Sequence, residues 1–367
     1  MLRQLARLTR RVPAAGPRAL AIAVYSGAEG ESFGARETGV EGVACVDDAA
    51  RGFVLLSGLW DRTRNDSLRR WALGLLDFVL WMDGGDGQWV NFIYDWEGTK
   101  NLAGPTSAPG ANFWQARATA ALTTASLVFD SPEARGRLHG SLAAAAACTA
   151  PANVRALHAI SAMEILSAEP DPWLRSQLGG WCDELVACSA GGVLMNSPDE
   201  RGQPHLWGHV QEAVIMQAAR ILQRPELADM ARHSAEVVFN QVIESGFDLP
   251  HVQPYDVQSA VFVMDRLLME TGDPAYASAA GKAREWFSGR NPAASPVYMR
   301  GEGRVADGVD GATINRDSGA EANICAGLAL MDDPFVRAQA AGWAIPPGES
   351  EGTAQEPGDR SENEPPQ

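Results

Sequence analysis

Val46-Asp-Asp-Ala-Ala-Arg-Gly-Phe-Val-Leu-Leu-Ser-Gly-Leu-Trp-Asp61 opens with two acids and an arginine and then runs apolar at helical spacing. Ala49, Phe53, Leu56 and Trp60 recur three or four apart and line one helix face. Such a segment reads as a helix with a buried shaft and a first turn that faces something polar. The same design returns in Phe113 to Phe129, headed by Asn112, Trp114, Gln115 and Arg117, and in Ala152 to Ser167, headed by Asn153 and His158. It returns again in His209 to Leu222, headed by His205, Trp207, His209, Gln211 and Glu212. Tyr255 to Glu270 carries His251, Gln253, Tyr255, Asp256 and Gln258, and Ser318 to Met331 carries Asn315, Arg316, Asp317, Glu321 and Asn323.

Between these segments lie helical patterns without a polar head: Ser67 to Met82, Pro132 to Cys148, Pro172 to Cys188, Pro225 to Ile243 and Pro274 to Phe287. Several start with a proline in the first turn, where its missing N–H costs nothing. Asp83-Gly84-Gly85, Ser131-Pro132, Pro170 to Pro172, Gly272 to Pro274 and Gly289 to Pro292 punctuate the series. Together with a basic helix at the start, the count comes to about twelve. The expected fold is all-α, an (α/α)6 toroid of about six helical hairpins with minor β. An open solenoid is the alternative, but the irregular spacing of like helices argues against a fixed repeat period. The one clear strand signal is Gly87 to Tyr94, which alternates enough for a short hairpin arm.

The division expected along the chain has three parts. Residues 1–24 form a basic N-terminal helix packing on the ring, with Arg3, Arg7, Arg10, Arg11 and Arg18 and no acid in the first 18 residues. Residues 25–345 form the toroid. Residues 346–367 are rich in Pro, Glu, Gly and Ser and are expected to be a disordered acidic tail, since they have too little apolar surface to offset their ordering entropy. No stretch reaches the roughly 18 apolar residues of a membrane span, so a soluble protein is expected.

Charge narrows the function. The chain of 367 residues carries a net charge of −16, which repels phosphate backbones and anionic lipid, so neither nucleic acid nor membrane is an expected partner. The five cysteines are odd in number and lack a CxxC, which fits reduced thiols in a cytoplasmic protein. No cofactor fingerprint, Walker loop or nucleophile elbow occurs. His205 and His209 sit four apart without an HExxH, and no metal is expected. Oligomeric state is not readable.

If alternate helices line the inside of a ring, their N-terminal ends meet at one mouth. Capping accounts for any single Asp, Asn or Glu there. It does not account for His, Gln, Trp and Arg beside the acids at alternate helices only. Amides and carboxylates bond hydroxyls, and aromatic faces stack on the C–H side of a sugar ring. The expected ligand is therefore an oligosaccharide or glycoconjugate, held by Arg51, Trp114, Gln115, Arg117, Trp207, His209, Glu212, Tyr255, Asp256, Asn315 and Asp317. Paired acids beside Arg51 near one end of the chain, and Glu321 after a Gly-rich loop near the other, would meet where the ring closes.

Four segments resemble the bacterial six-hairpin glycosidase-like proteins. Cys45-Val-Asp-Asp-Ala-Ala-Arg51 is similar to their opening C-x-D-D-N-A-R-A, and Asn315-Arg-Asp-Ser-Gly-Ala-Glu-Ala322 to their closing N-x-N-x-G-A-E-S. Gln88-Trp-Val-Asn-Phe92 and Trp286-Phe-Ser-Gly-Arg-Asn291 are similar to two segments between. Order and spacing agree over residues 41 to 331. Ala49 and Ala322 depart from the pattern, as does Gly110 to Arg117, where the family carries an acidic-His motif. The resemblance implies the toroid and a carbohydrate activity, with a hydrolase as the first reading. A non-catalytic sugar-binding toroid or glycosyltransferase partner is the second, and a phosphorylase or lyase the third, with Arg51, Arg117 and Arg316 as the phosphate candidates.

For hydrolysis, Glu321 is the expected acid and Asp48 the expected base, kept ionised by Arg51, with Asp47 as its orienting neighbour. By analogy with inverting toroid glycosidases, their carboxyls are expected roughly 6.5–9.5 Å apart.

Overall fold

The structure, a computed structural model, describes residues 1–344. The expected acidic tail at 346–367 lies outside the described residues. Among them are thirteen α-helices. The first, α1 (Leu2–Leu8), is followed in chain order by six pairs: α2 (Val46–Thr63) with α3 (Asp66–Met82), α4 (Phe113–Val128) with α5 (Pro132–Ala147), and α6 (Ala152–Ala168) with α7 (Pro172–Ala187). Then come α8 (Gln211–Leu222) with α9 (Pro225–Glu244), α10 (Pro254–Thr271) with α11 (Pro274–Glu285), and α12 (Ala320–Ala329) with α13 (Pro334–Ala341).

The even-numbered helices each pack on the next even-numbered one, and α12 packs back on α2, which closes the ring. The odd partners form the outer layer. Each polar-headed helix of the sequence is an inner helix. Small residues bring the inner helices together: Ala116, Ala118, Ala121 and Ala125 on α4, and Ala156, Ala159 and Ala162 on α6, are all buried. The outer helices contribute wider side chains to the interlayer core, among them the fully buried Trp71, Phe78, Trp181 and Phe239. Caps set where the shafts begin. Asn112 accepts from the Gln115 N–H at the start of α4, and Ser131 from the Ala134 N–H at α5. Prolines 132, 172, 225, 254, 274 and 334 stand in first turns.

Two sequence expectations are corrected. The twelfth ring helix is α13, not the N-terminal helix. α13 is eight residues long and buries only Val336 and Ala340, so its periodicity is too brief to register. The N-terminal segment is α-helical only over Leu2–Leu8; a 3-10 turn at Pro13–Ala15 reverses the chain, and Thr9–Arg11 pairs antiparallel with Leu20–Ile22. α1 does pack on the ring, against α12 and the strand Arg304–Val305. Gly87 to Tyr94 does carry a short arm, in which Ile93 bridges antiparallel to Lys100. Its strand Phe92–Ile93 pairs with Ala44–Cys45, the segment leading into α2. That pairing fixes the start of α2 and so the height of Asp47 and Asp48 at the mouth.

Candidate functional site

The N-terminal ends of α2, α10 and α12, with the segments before α2, α8 and α12 and the strand-bearing arm, surround a cavity of about 590 Å³. Its floor is built on Arg51, one turn into α2 and only 7% exposed. Arg51 meets three carboxylates: Nε lies 2.8 Å from Asp47 Oδ1, Nη2 3.0 Å from Asp48 Oδ1, and Nη1 2.8 Å from Glu321 Oε1. Asp47 and Asp48 lie one helical turn back on the same helix, so the spacing of three and four places them beside the guanidinium. Glu321 arrives from α12 across the closing seam of the ring. The two ends of the polar pattern therefore meet on one cation.

Asp48 is 2% exposed, and its carboxyl is pushed up to about 7. Burial is the main cause, opposed by Arg51 and reinforced by Glu321 and Asp47. The expectation that Arg51 keeps Asp48 ionised is thus corrected: desolvation outweighs the guanidinium. The Cys45 thiol donates to Asp48 Oδ2 at 3.3 Å, and the Asp48 N–H donates back to Cys45 Sγ at 3.4 Å. Asn91, from the strand-bearing arm, accepts from the Asp47 N–H at 3.2 Å. Glu321 has a side chain 33% exposed, and its Oε1 also accepts from Trp207 Nε1 at 3.4 Å.

The walls are aromatic and acidic. Trp207 packs against Phe113, with ring centroids 4.3 Å apart, and meets Tyr255 edge-on at 6.1 Å. Also in the lining, Tyr25 stacks on Phe33 at 5.5 Å, and the Tyr25 hydroxyl donates to Glu37 at 2.6 Å. Asn315, Asp317 and Asp307 line the side next to α12. Asp307 accepts from the Gly319 N–H at 2.7 Å and is pushed up to about 6, first by burial, with Asp317 and Glu321 adding to the rise. A Cβ on Gly319 would stand 2.9 Å from the Val24 carbonyl, so the closing loop passes the wall only because that residue is glycine.

Of the residues expected at the site, Asp47, Asp48, Arg51, Trp207, Tyr255, Asn315, Asp317 and Glu321 line the mouth. The others are elsewhere. Trp114 donates from Nε1 to the Trp89 carbonyl, and Gln115 is buried between Trp89, Gly87 and Ser141; both hold the strand-bearing arm. Asp256 closes a capping box with Gln253 at the start of α10, and burial pushes it up to about 7. His209 and Glu212 are fully buried and bond each other at 3.0 Å, with Asn196 on the second imidazole nitrogen and Ser234 of α9 donating to Glu212. They face the outer layer, not the mouth. Arg117 lies below the floor, 3.8 Å from Asp47, in a second cavity of about 280 Å³ that it shares with Arg51, Glu164 and Asp265. Arg316 is exposed and lies outside the mouth lining.

Several lining residues lie outside the expected set, among them Tyr25, Phe33, Glu37, Asn91, Gln253 and Asp307. The first three come from the loop before α2, including a hairpin of two-residue strands, Tyr25–Ser26 with Ser32–Phe33. An aromatic, an aromatic and an acid spaced through a Gly-rich loop were the only trace they left in the sequence.

Among the described residues, no group of three or more His, Cys, Asp and Glu is arranged to hold a metal ion, and all five cysteines are free. No helix there is long and apolar enough to cross a membrane.

No family model and no curated protein matches the chain. Solved structures do. A cellobiose 2-epimerase from Bacillus thermoamylovorans superimposes with a TM-score of 0.65 at 11% identity, over 90% of this chain and 96% of that one. A D-mannose isomerase does so with a TM-score of 0.63 at 9% identity, over 92% and 96%. An α-mannanase from Bacteroides thetaiotaomicron gives 0.54 at 12% identity, over 80% and 85%. With the closed ring of six inner and six outer helices, these likenesses show that the chain has the (α/α)6 toroid fold of the six-hairpin glycosidase-like proteins.

Proposed function

We propose that the mouth cavity binds an oligosaccharide or glycoconjugate and that Asp48 and Glu321 cleave it as a hydrolytic acid–base pair. The observation that carries this is Arg51 holding both carboxyls at once beneath aromatic walls. Two hydrogen bonds and the width of one guanidinium keep the carboxyl oxygens at most about 8 Å apart, a span that a glycosidic bond can occupy. The roles differ from those expected. Asp48, near half-protonated at neutral pH, is the acid that protonates the leaving oxygen. Glu321, open to the cavity, is the base that activates water. Trp207 and Tyr255 offer stacking faces.

Phosphorolysis is disfavoured. Among the described residues Arg51 is the only cation of the mouth lining, and its donors already face carboxylates. Sugar epimerisation or isomerisation is a second reading. It is favoured by the solved structures named for those reactions, which pair with this chain over 90% or more of both lengths. We place the protein in the cytoplasm, where its five free thiols stay reduced.

A panel of oligosaccharides, assayed for binding and for products in deuterated water, tests these together. New reducing ends signify hydrolysis. Deuterium on a carbon next to the carbonyl, without cleavage, signifies epimerisation. Binding without either leaves a sugar-binding toroid, and absence of binding rejects the carbohydrate site.

A further inference from the structure

The second cavity, about 280 Å³, lies below the floor and is enclosed by five inner helices, α2, α4, α6, α10 and α12. On α4 its lining runs from Arg117 to Thr124, two turns and about 10 Å further from the mouth. The volume equals that of about nine waters, yet most of the wall is hydrocarbon, with Leu157, Ile160, Val261, Phe262 and Leu328 lining it. Arg117 stands at the upper end without a partner of its own. It makes no hydrogen bond among the described residues, and its Nε is buried with no acceptor. Its ionic contact there is Asp47 Oδ1 at 3.8 Å, an oxygen already held by Arg51 Nε at 2.8 Å. The Arg117 side chain keeps 21% of its surface open and lines this cavity but not the mouth. Burial and then the charge of Arg51 lower its pKa, with Asp47 opposing them only in part, so the spot is short of negative charge. At the far end stand Glu164, with no ion pair among the described residues, and Asp265, which pairs with Arg284.

We propose that this lower cavity binds a small aliphatic monocarboxylate, with its carboxylate on the Arg117 guanidinium and its hydrocarbon chain running along the cavity toward Glu164. One guanidinium balances one charge, and its N–H fork fits a carboxylate. The walls take the chain out of water, which favours a chain over acetate. The acids at the far end exclude a second anionic group. A sugar does not suit the cavity, because its hydroxyls would find few partners on such walls.

Calorimetric titration of the whole protein at pH 7 tests this with octanoate below its micelle concentration, and with 1-octanol, octylamine, suberate and acetate. Octanoate is expected to bind at least about tenfold more tightly than any of the others. Arg117→Leu is expected to erase its advantage over octanol. Ala120→Phe adds a ring to the cavity wall without touching the mouth lining, and is expected to block octanoate even if the Arg117 variant fails to fold. Octanol binding as tightly as octanoate overturns the carboxylate subsite. Acetate binding as tightly overturns the hydrocarbon body, and suberate binding as tightly overturns the orientation toward Glu164. Octanoate binding unchanged in the folded variants places it elsewhere and overturns the site. Absence of octanoate binding overturns it too and leaves the cavity to water. None of these outcomes bears on the carbohydrate reading of the mouth.

Discussion

Arg51 Nη1 lies 2.8 Å from Glu321 Oε1, a contact between residues 270 positions apart that joins the first inner helix to the last. The same guanidinium holds Asp47 and Asp48. Replacing Arg51 with Leu leaves three carboxylates around one buried point without a counter-charge. A loss of about 3–5 kcal/mol in urea-unfolding stability is expected, with activity abolished. Arg51→Lys is expected to recover part of the stability but not the activity, since one ammonium cannot match a fork aimed at three groups. Wild-type stability in the Leu variant would mean that the cluster contributes nothing to closing the ring.

Glu321→Gln is expected to preserve sugar affinity and abolish turnover, because shape and one acceptor survive while the base is lost. In the wild type, the rate is expected to fall as pH rises through about 7, where Asp48 gives up its proton. Stability has its own dependence. The folded pKa of Asp48 is raised above its unfolded value near 4, so its favourable contribution is complete below about pH 4 and is lost as pH rises through about 7. Asp48→Asn, which cannot ionise, should therefore gain stability relative to the wild type between pH 4 and 7, then hold a constant difference above about 8. Unfolding at pH 4, 6 and 8 measures this; a difference that is flat throughout would show that Arg51 keeps Asp48 ionised after all.

Trp207 and Trp114 should part company. Trp207→Ala removes a wall of the mouth and is expected to weaken oligosaccharide binding by about tenfold with the fold retained. Trp114→Ala frees the Trp89 carbonyl and is expected to lower the melting temperature first. Fluorescence titration and thermal unfolding of both variants separate the two roles. Unfolding of the Trp207 variant would assign that ring to packing.

His209→Ala breaks a fully buried network that includes Asn196, Glu212 and Ser234. A loss of about 2–3 kcal/mol is expected, from the stranded Glu212 carboxylate, with sugar affinity unchanged. A drop in affinity larger than the loss of folded protein would return His209 to the site.

Why some of this was legible in the sequence and some was not comes down to phase and burial. Asp48, Arg51 and Glu321 could be read because each stands within the first two turns of an apolar shaft, and a ring brings such turns to one mouth. Spacing does not tell which way a first turn faces. His209 and Glu212 share a face, three apart, but that face meets Ser234 on the outer layer rather than the axis. Trp114 and Gln115 likewise turn toward the arm that carries Trp89. Tyr25 and Phe33 come from strands of two residues, too short for any periodicity. The protonation of Asp48 depends on how completely it is desolvated, a property of the assembled ring and not of its neighbours in sequence.

The closure of the ring by α12 on α2 has a consequence for how the molecule is made. A ribosome delivers Asp48 and Arg51 early and Glu321 some 270 residues later. Throughout that interval α2 has no inner neighbour on its α12 side, and Arg51 holds two acids of its own helix while the third is still unsynthesised. The nascent protein therefore passes through an arc of inner helices with two open flanks, the stage at which aggregation and chaperone capture are most expected. Because Asp48 and Glu321 belong to the first and last inner helices, a fragment that lacks either one holds at most part of the mouth, and the cluster on Arg51 is complete only when the final hairpin has docked.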